Sequence, residues 1–201
     1  MEEERHAHHH HSGGWTREQL ANLERPDRET IMPKGPVLNA LQVQPGHRVA
    51  DVGAGLGYFT FPMAIAVGNS GRVLAVDPSV DACEEMSKRV EDDRLDHVEV
   101  IQRPAENTTV ATESVDRILW HTMYHDVQDL DASIGEMMRI LKPGGRWVVV
   151  DWVKDDTKMG PPLSVRVSPD EAAEAIEQRG LKVVERFSPG PVTWGLVVEK
   201  S

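Results

Sequence analysis

The sequence predicts a doubly wound α/β domain on a mostly parallel seven-stranded sheet, with one antiparallel strand near its C-terminal end. Three observations carry that expectation. Short β-branched apolar runs alternate with helical patterns between residues 48 and 151. A glycine-rich turn, GAGLG, follows the first such run. The last two strand-like runs are joined only by SPGP. Alternation implies βαβ units with right-handed crossovers, and so short a final link permits only an antiparallel pair.

The elements follow in order. Residues 28–41, RETIMPKGPVLNAL, read as helical segments interrupted by Pro33 and Pro36, ending before the breakers Pro45 and Gly46. RVADV (48–52), RVLAV (72–76), HVEVI (97–101), VDRILW (115–120) and RWVVVD (146–151) suit strands buried on both faces of a parallel sheet. A helix is expected from about Leu56, after the glycine turn. Leu130, Ile134, Met137, Met138 and Leu141 share one helical face. Asp126 and Asp129 cap and charge its first turn, and KPGG (142–145) stops it. SPDEAAEAIEQRG opens with a capping-box pair, Ser168 and Glu171, and closes at Gly180. LKVVERF (181–187) and VTWGLVVEK (192–200) complete the sheet.

Composition bounds the function. The 201 residues fit one domain. Residues 1–27 read as a disordered, His-rich tail and linker, and residues 28–201 as the domain. Five of the nine histidines fall at 6 and 8–11, which suits either a purification tag or a metal-binding tail. A net charge of −11 repels phosphate backbones, so nucleic acid is not expected as a partner. No run approaches the roughly 20 apolar residues of a membrane helix, and the first thirty residues lack the apolar core of a secretory signal. Cys83 is the single cysteine. A cytoplasmic monomer or small homo-oligomer is the expectation.

The glycine turn narrows the ligand. In an open parallel sheet, ligands bind beyond the carboxyl ends of the strands, where the strand order reverses. Gly53, Gly55 and Gly57 occupy that place, in the spacing G-x-G-x-G. Dinucleotide enzymes use G-x-G-x-x-G, and Tyr58 stands where their third glycine would be. Asp51, just ahead of the loop, is awkward beside a pyrophosphate. A ligand that is uncharged or cationic near the loop fits better, which speaks against a nicotinamide-dependent oxidoreductase.

With DVGAGLG (51–57), VLAVDPS (73–79) and LKPGGRWVVVD (141–151) in this order, the chain resembles the class I S-adenosylmethionine-dependent methyltransferases. Within them it is similar to the small type 11, ubiquinone/menaquinone C-methyltransferase-like group. The resemblance runs from about Gly46 to the C-terminus and implies a Rossmann-like methyltransferase fold, with S-adenosylmethionine as cofactor and S-adenosylhomocysteine as product. It implies that Asp51, Gly53, Gly55 and Gly57 cradle the cofactor's amino-acid part, Asp51 lying near its ammonium. Asp77, followed by Pro78, accepts from the ribose hydroxyls. Ala105 and Glu106, in RPAEN, flank the adenine. Tyr58 or Phe59 packs near the sulfonium, although Phe59 equally suits a helix core, and Trp120 closes the fourth strand beside the cofactor.

Chemistry is expected after that strand, in WHTMYHDV (120–127). His121 and His125 suit loop residues bonded to backbone, or one of them suits a base or substrate orienter. His125 is favoured because it resembles a histidine common in related methyltransferases. Their spacing matches a zinc pair, but Thr122 stands where a catalytic glutamate would be and no third ligand is evident, so no metal is expected. Trp152 and Tyr124 can wall an acceptor pocket roofed by KDDTKMGPP (154–162). One cysteine does not suit the thiolate chemistry of arsenite methyltransferases. The expected function is methyl transfer to a small-molecule acceptor by in-line displacement. The alternative is a non-catalytic cofactor-binding or scaffold module of the same fold.

Overall fold

The computed structural model describes Leu20 and residues 25–201; the His-rich tract and both of its readings lie outside the described residues. Leu20 is helical and only 3% exposed.

Two short helices, α1 (Arg28–Ile31) and α2 (Lys34–Leu41), precede the sheet. Pro33 separates them as expected, but Pro36 interrupts nothing. It sits in the first turn of α2, where a missing N–H costs no helical bond. The order continues β1 (Arg48–Val52), α3 (Thr60–Val67), β2 (Arg72–Asp77), α4 (Val80–Asp92), β3 (Val98–Gln102), β4 (Val115–His121), α5 (Leu130–Ile140), β5 (Leu141–Trp152), α6 (Pro169–Glu177), β6 (Lys182–Gly190) and β7 (Thr193–Glu199). One-turn 3₁₀ helices span Tyr124–Asp126 and Leu163–Val165.

The seven strands lie in the order β3-β2-β1-β4-β5-β7-β6. β1 to β5 are parallel, and β7 runs antiparallel to both β5 and β6. The order reverses between β1 and β4, so the ends of those strands open the crevice in which doubly wound sheets bind ligands.

Strand alternation divides the interior. Ala50, Val52, Leu74, Val76, Ile118, Trp120 and Val149 face α5 and α6, while Val49, Val73, Leu119, Val148 and Val150 face α2 and α3. Period 2 therefore decides which end-of-strand residue looks to which side. Asp51 and His121 fall on the α3 side.

Four expectations change. α3 begins at Thr60 rather than Leu56, because Gly53, Gly55 and Gly57 all have positive φ and wind the chain through turns first. α5 ends at Ile140, and KPGG belongs to the start of β5. Leu141 stays buried as the first residue of that strand, but Met138 is 36% exposed and lies outside the core stripe. Asp129 caps α5, its side chain accepting from the Ala132 N–H, and Ser168 with Glu171 forms the full capping box, but Asp126 sits in the preceding 3₁₀ turn and Asp131 is the acid of the first turn. No described helix is long and apolar enough to cross a membrane.

Candidate cofactor and methyl-transfer site

Three buried or nearly buried carboxylates close apolar strands at the crevice: Asp51 on β1, Asp77 on β2 and Asp151 on β5 are 3%, 8% and 1% exposed. Burying an acid is expensive unless hydrogen bonds compensate it, and each has been given partners.

Asp77 ties the glycine loop to β2. Its Oδ2 accepts from the Gly55 N–H at 2.8 Å and its Oδ1 from the Ser79 N–H at 2.9 Å. The Gly53 and Ala54 N–H groups both donate to the Val76 carbonyl. Burial pushes the Asp77 carboxyl up from its ordinary range, against the two backbone donors that hold it down. Gly57 shows why the loop needs glycine: at φ +82 a side chain is strained, and a Cβ there would meet the Phe61 ring at 2.4 Å. At Gly53 a Cβ would meet the Met123 sulfur at 2.7 Å, so the chain after β4 packs directly on the loop.

Asp51 has fewer partners. Its Oδ2 accepts from the Thr60 hydroxyl at 2.6 Å. Burial pushes its carboxyl up to about 7, with Asp77 adding to the push and Thr60 opposing it. A site that leaves a carboxylate short of compensation is one a cation would complete. The fit to S-adenosylmethionine rests there: a positive-φ loop without side chains, a second acid at the end of β2 already aligned by backbone, and a buried acid suited to an ammonium.

His121 lies next to this pair, its ring 4.5 Å from that of Phe59 and 6.4 Å from that of Tyr58. Burial, helped by the charge of Arg28, pushes its imidazole down to about 3. It is neutral at any ordinary pH and a weak proton acceptor. His125 is the opposite case. Its Nδ1 lies 2.8 Å from Asp151 Oδ1, and its backbone N–H donates to Asp151 Oδ2 at 3.1 Å. Asp151 Oδ1 also accepts from the Trp152 N–H at 2.6 Å. Nε2 faces Asp126 at 3.5 Å. Burial alone would lower His125, but the Asp151 hydrogen bond and charge, with Asp126, carry it above the ordinary histidine value. With Nδ1 donating to Asp151, the lone pair sits on Nε2.

Between the histidines, Thr122 has φ +54, a left-handed conformation that a β-branched residue rarely adopts. Its N–H donates to the Val150 carbonyl at 2.8 Å. This kink ends β4 and sends His121 to the glycine loop and His125 to β5.

The structure does not gather every predicted residue. Trp120 is fully enclosed on the α5 side, edge-on to Trp147 and Tyr124. It is a core residue, because period 2 turns it away from His121. Phe59 is 2% exposed and belongs to the core of the α3 side while touching His121. Tyr124 also turns inward, 4% exposed against Trp194. Tyr58 reaches back to the N-terminal segment: its hydroxyl donates to Glu29 Oε2 and the Met32 carbonyl at 2.8 and 2.9 Å. Ala105 is buried, Pro78 half-buried and Glu106 exposed. Cys83 is buried, and burial pushes its thiol up to about 11.

The sequence reading missed Thr60, Arg28 and Arg166, and gave Asp151 no role. The Asp151 signal was legible: VADV, LAVD and VVVD each place an acid at the end of an apolar strand. Arg166 left no such signal. Only 5% exposed, its guanidinium donates to the carbonyls of Val153, Asp155, Met159 and Pro161 and to the Thr157 hydroxyl. It thereby holds the loop after β5, in which Gly160 packs on the Trp152 ring.

Known proteins share the domain and the fold. The family described as Methyltransferase domain matches residues 49–145. A ubiquinone/menaquinone biosynthesis C-methyltransferase of Vibrio campbellii is 30% identical over 112 residues, covering 55% of this chain and 43% of the relative. An arsenite methyltransferase of Halobacterium salinarum is 26% identical over 151 residues, covering 70% of this chain and 39% of the relative. The chain thus spans less than half the length of these curated relatives. Among solved structures, a SAM-dependent methyltransferase from Aquifex aeolicus superposes with a TM-score of 0.87 at 24% identity, covering 93% of this chain and 100% of that one. A structure from Sulfolobus solfataricus, named for the type 11 methyltransferases, is 28% identical with a TM-score of 0.69, covering 86% and 94%. Over residues 49–145 the chain carries a methyltransferase domain, and in motif order, sheet topology and these likenesses it is similar to the S-adenosylmethionine-dependent methyltransferases of the type 11 kind.

Proposed function

We propose that residues 28–201 transfer the methyl group of S-adenosylmethionine to a small-molecule acceptor that gives up a proton as it is methylated, with His125 as the base. The observation that carries this is the His125–Asp151 pair. A bound sulfonium supplies an activated methyl group, so the chain's own tasks are to align the acceptor, exclude water and take the proton. Asp151 fixes the tautomer that leaves Nε2 basic and stabilises the imidazolium once it forms. Asp126, 3.5 Å from Nε2, supports the same charged state.

The geometry supports the following residue roles. Gly53, Gly55 and Gly57 make room for the cofactor, Asp77 takes the ribose hydroxyls, and Asp51 faces the ammonium. Pro78, Ala105 and Glu106 border the adenosine. His121, held neutral, orients rather than accepts a proton. The half-buried Trp152 and the loop anchored by Arg166 cover the acceptor side. The buried, high-pKa Cys83 suits neither thiolate chemistry nor arsenite, and a single such cysteine fits a reducing cytoplasm. Quinol- and phenol-like acceptors are the first to try, since their hydroxyl or ring proton must leave.

The test is S-adenosylhomocysteine release against quinols, phenols, amines and thiols, followed across pH. With the right acceptor, turnover rises through a pKa above 6.5, and His125→Ala loses turnover while cofactor affinity holds. Equal turnover in His125→Ala removes the base. Cofactor binding with no release from any acceptor favours the scaffold reading.

A further inference from the structure

Outside the strand ends, two cationic side chains gather on Tyr58, the residue that follows the glycine loop. Arg28, half-buried in α1, stacks its guanidinium 3.9 Å from the centre of the Tyr58 ring. Lys34 Nζ lies 3.8 Å from the same centre. Tyr58 immediately follows Gly57, and its hydroxyl is held by Glu29 and Met32. Glu29 in turn accepts from the Lys34 N–H at 3.0 Å and pairs with the Lys34 ammonium. The segment containing α1 is therefore latched onto the glycine loop through one tyrosine.

The Arg28 charge reaches the inner site. It pulls the Asp51 carboxyl down against the larger upward push of burial, and it adds to the burial that lowers His121. Arg28 thus lies over the ring of the residue that follows Gly57, and its charge is felt at Asp51. An α-amino acid presents an ammonium and a carboxylate on the same carbon. Recognising both needs an acid and a guanidinium close together, with no bulk between them. Asp51 and Arg28 offer those two charges around a loop whose glycines carry no side chains, and a guanidinium is the side chain best shaped for a carboxylate.

We infer that Arg28, seated on Tyr58, binds the α-carboxylate of the cofactor's amino-acid moiety, which makes the α1 segment part of the cofactor site. The inference rests on the cofactor assignment and adds a carboxylate contact from outside the glycine motif. Chain lacking this segment would keep the loop, Asp51 and Asp77 but lose selectivity for the zwitterion.

The experiment compares calorimetric binding of S-adenosylmethionine with that of decarboxylated S-adenosylmethionine, which keeps the adenosine, sulfonium and ammonium and lacks only the carboxylate. Wild-type protein should prefer the intact cofactor by roughly tenfold or more, the scale of a charge-assisted hydrogen bond. Arg28→Ala should abolish that preference by weakening the intact cofactor alone, and Arg28→Lys should retain part of it. Tyr58→Leu, which removes the seat, should lower the preference in the same direction. Equal weakening of both compounds in Arg28→Ala would mean that Arg28 only props the loop, and would overturn the inference. An undiminished preference in that variant would overturn it too. Wild-type binding of neither compound would instead bring down the cofactor assignment, and the inference with it.

Discussion

The Thr60 hydroxyl, at the first residue of α3, donates a 2.6 Å hydrogen bond to the Asp51 carboxylate at the end of β1. This is the only compensation offered by a side-chain hydrogen bond to Asp51 among the described residues, and it does not offset burial: the carboxyl is pushed up to about 7. Burial of this acid therefore carries a cost that a cation beside it removes.

That cost has a sign. The folded pKa of about 7 lies above the ordinary 3.8, so the stabilising contribution is full below 3.8 and is lost as pH rises through 7. The loss is on the order of 4 kcal/mol. Asp51→Asn, which keeps an acceptor for Thr60, should abolish this slope and melt higher than wild type at pH 8 without cofactor. Cofactor affinity of the wild type should climb between pH 6 and pH 8, with proton release visible calorimetrically in buffers of different ionisation enthalpy. A pH-independent affinity would remove Asp51 from the ammonium site.

Asp77 holds the glycine loop, besides the ribose role proposed for it. Asp77→Ala leaves the Gly55 and Ser79 N–H groups without their acceptor. Cofactor binding should weaken by roughly 10²-fold or more, since each bond to a charged acceptor is worth about 1.5–3 kcal/mol. Far-UV circular dichroism should be unchanged while the melting temperature falls. Unchanged affinity would return Asp77 to a purely structural role.

Gly57→Ala meets two penalties, its φ of +82 and the Phe61 ring. A loss of about 1–3 kcal/mol is expected from denaturant unfolding, together with weaker cofactor binding. Adding Phe61→Leu should recover only the steric part. Full recovery would show that backbone strain contributes nothing.

Arg166→Ala should loosen the loop between β5 and α6, because its guanidinium bridges carbonyls from Val153 to Pro161. Trypsin should then cut at the exposed Lys154 and Lys158 faster than in wild type. Acceptor turnover should drop while cofactor affinity holds, since the loop lies on the acceptor side. A parallel loss of both would place Arg166 in the cofactor site instead.

Much of the fold was legible because it rests on local, repetitive physics. A β-branched run ending in an acid, such as RVADV or RVLAVD, states its own burial. The SPGP link leaves β6 and β7 no geometry but antiparallel, and the Ser168–Glu171 box announces α6. Glycine spacing and the position of Asp51 likewise bounded the ligand, because backbone conformation and buried charge are written in residue type.

The tertiary structure alone decided which neighbours met. His121 and His125 lie four apart in sequence, yet the Thr122 kink sends one to Phe59 and the other to Asp151. Their pKa values move in opposite directions because burial and the Arg28 charge act on His121, whereas at His125 the Asp151 hydrogen bond and charge outweigh burial. Trp120 adjoins His121 but faces the other side of the sheet. Arg28 and Tyr58 are joined across thirty residues of chain by α1 folding over the loop. Charge acts through space and hydrogen bonds through orientation, so a site assembled from four strand ends and two distant loops takes its chemistry from the fold.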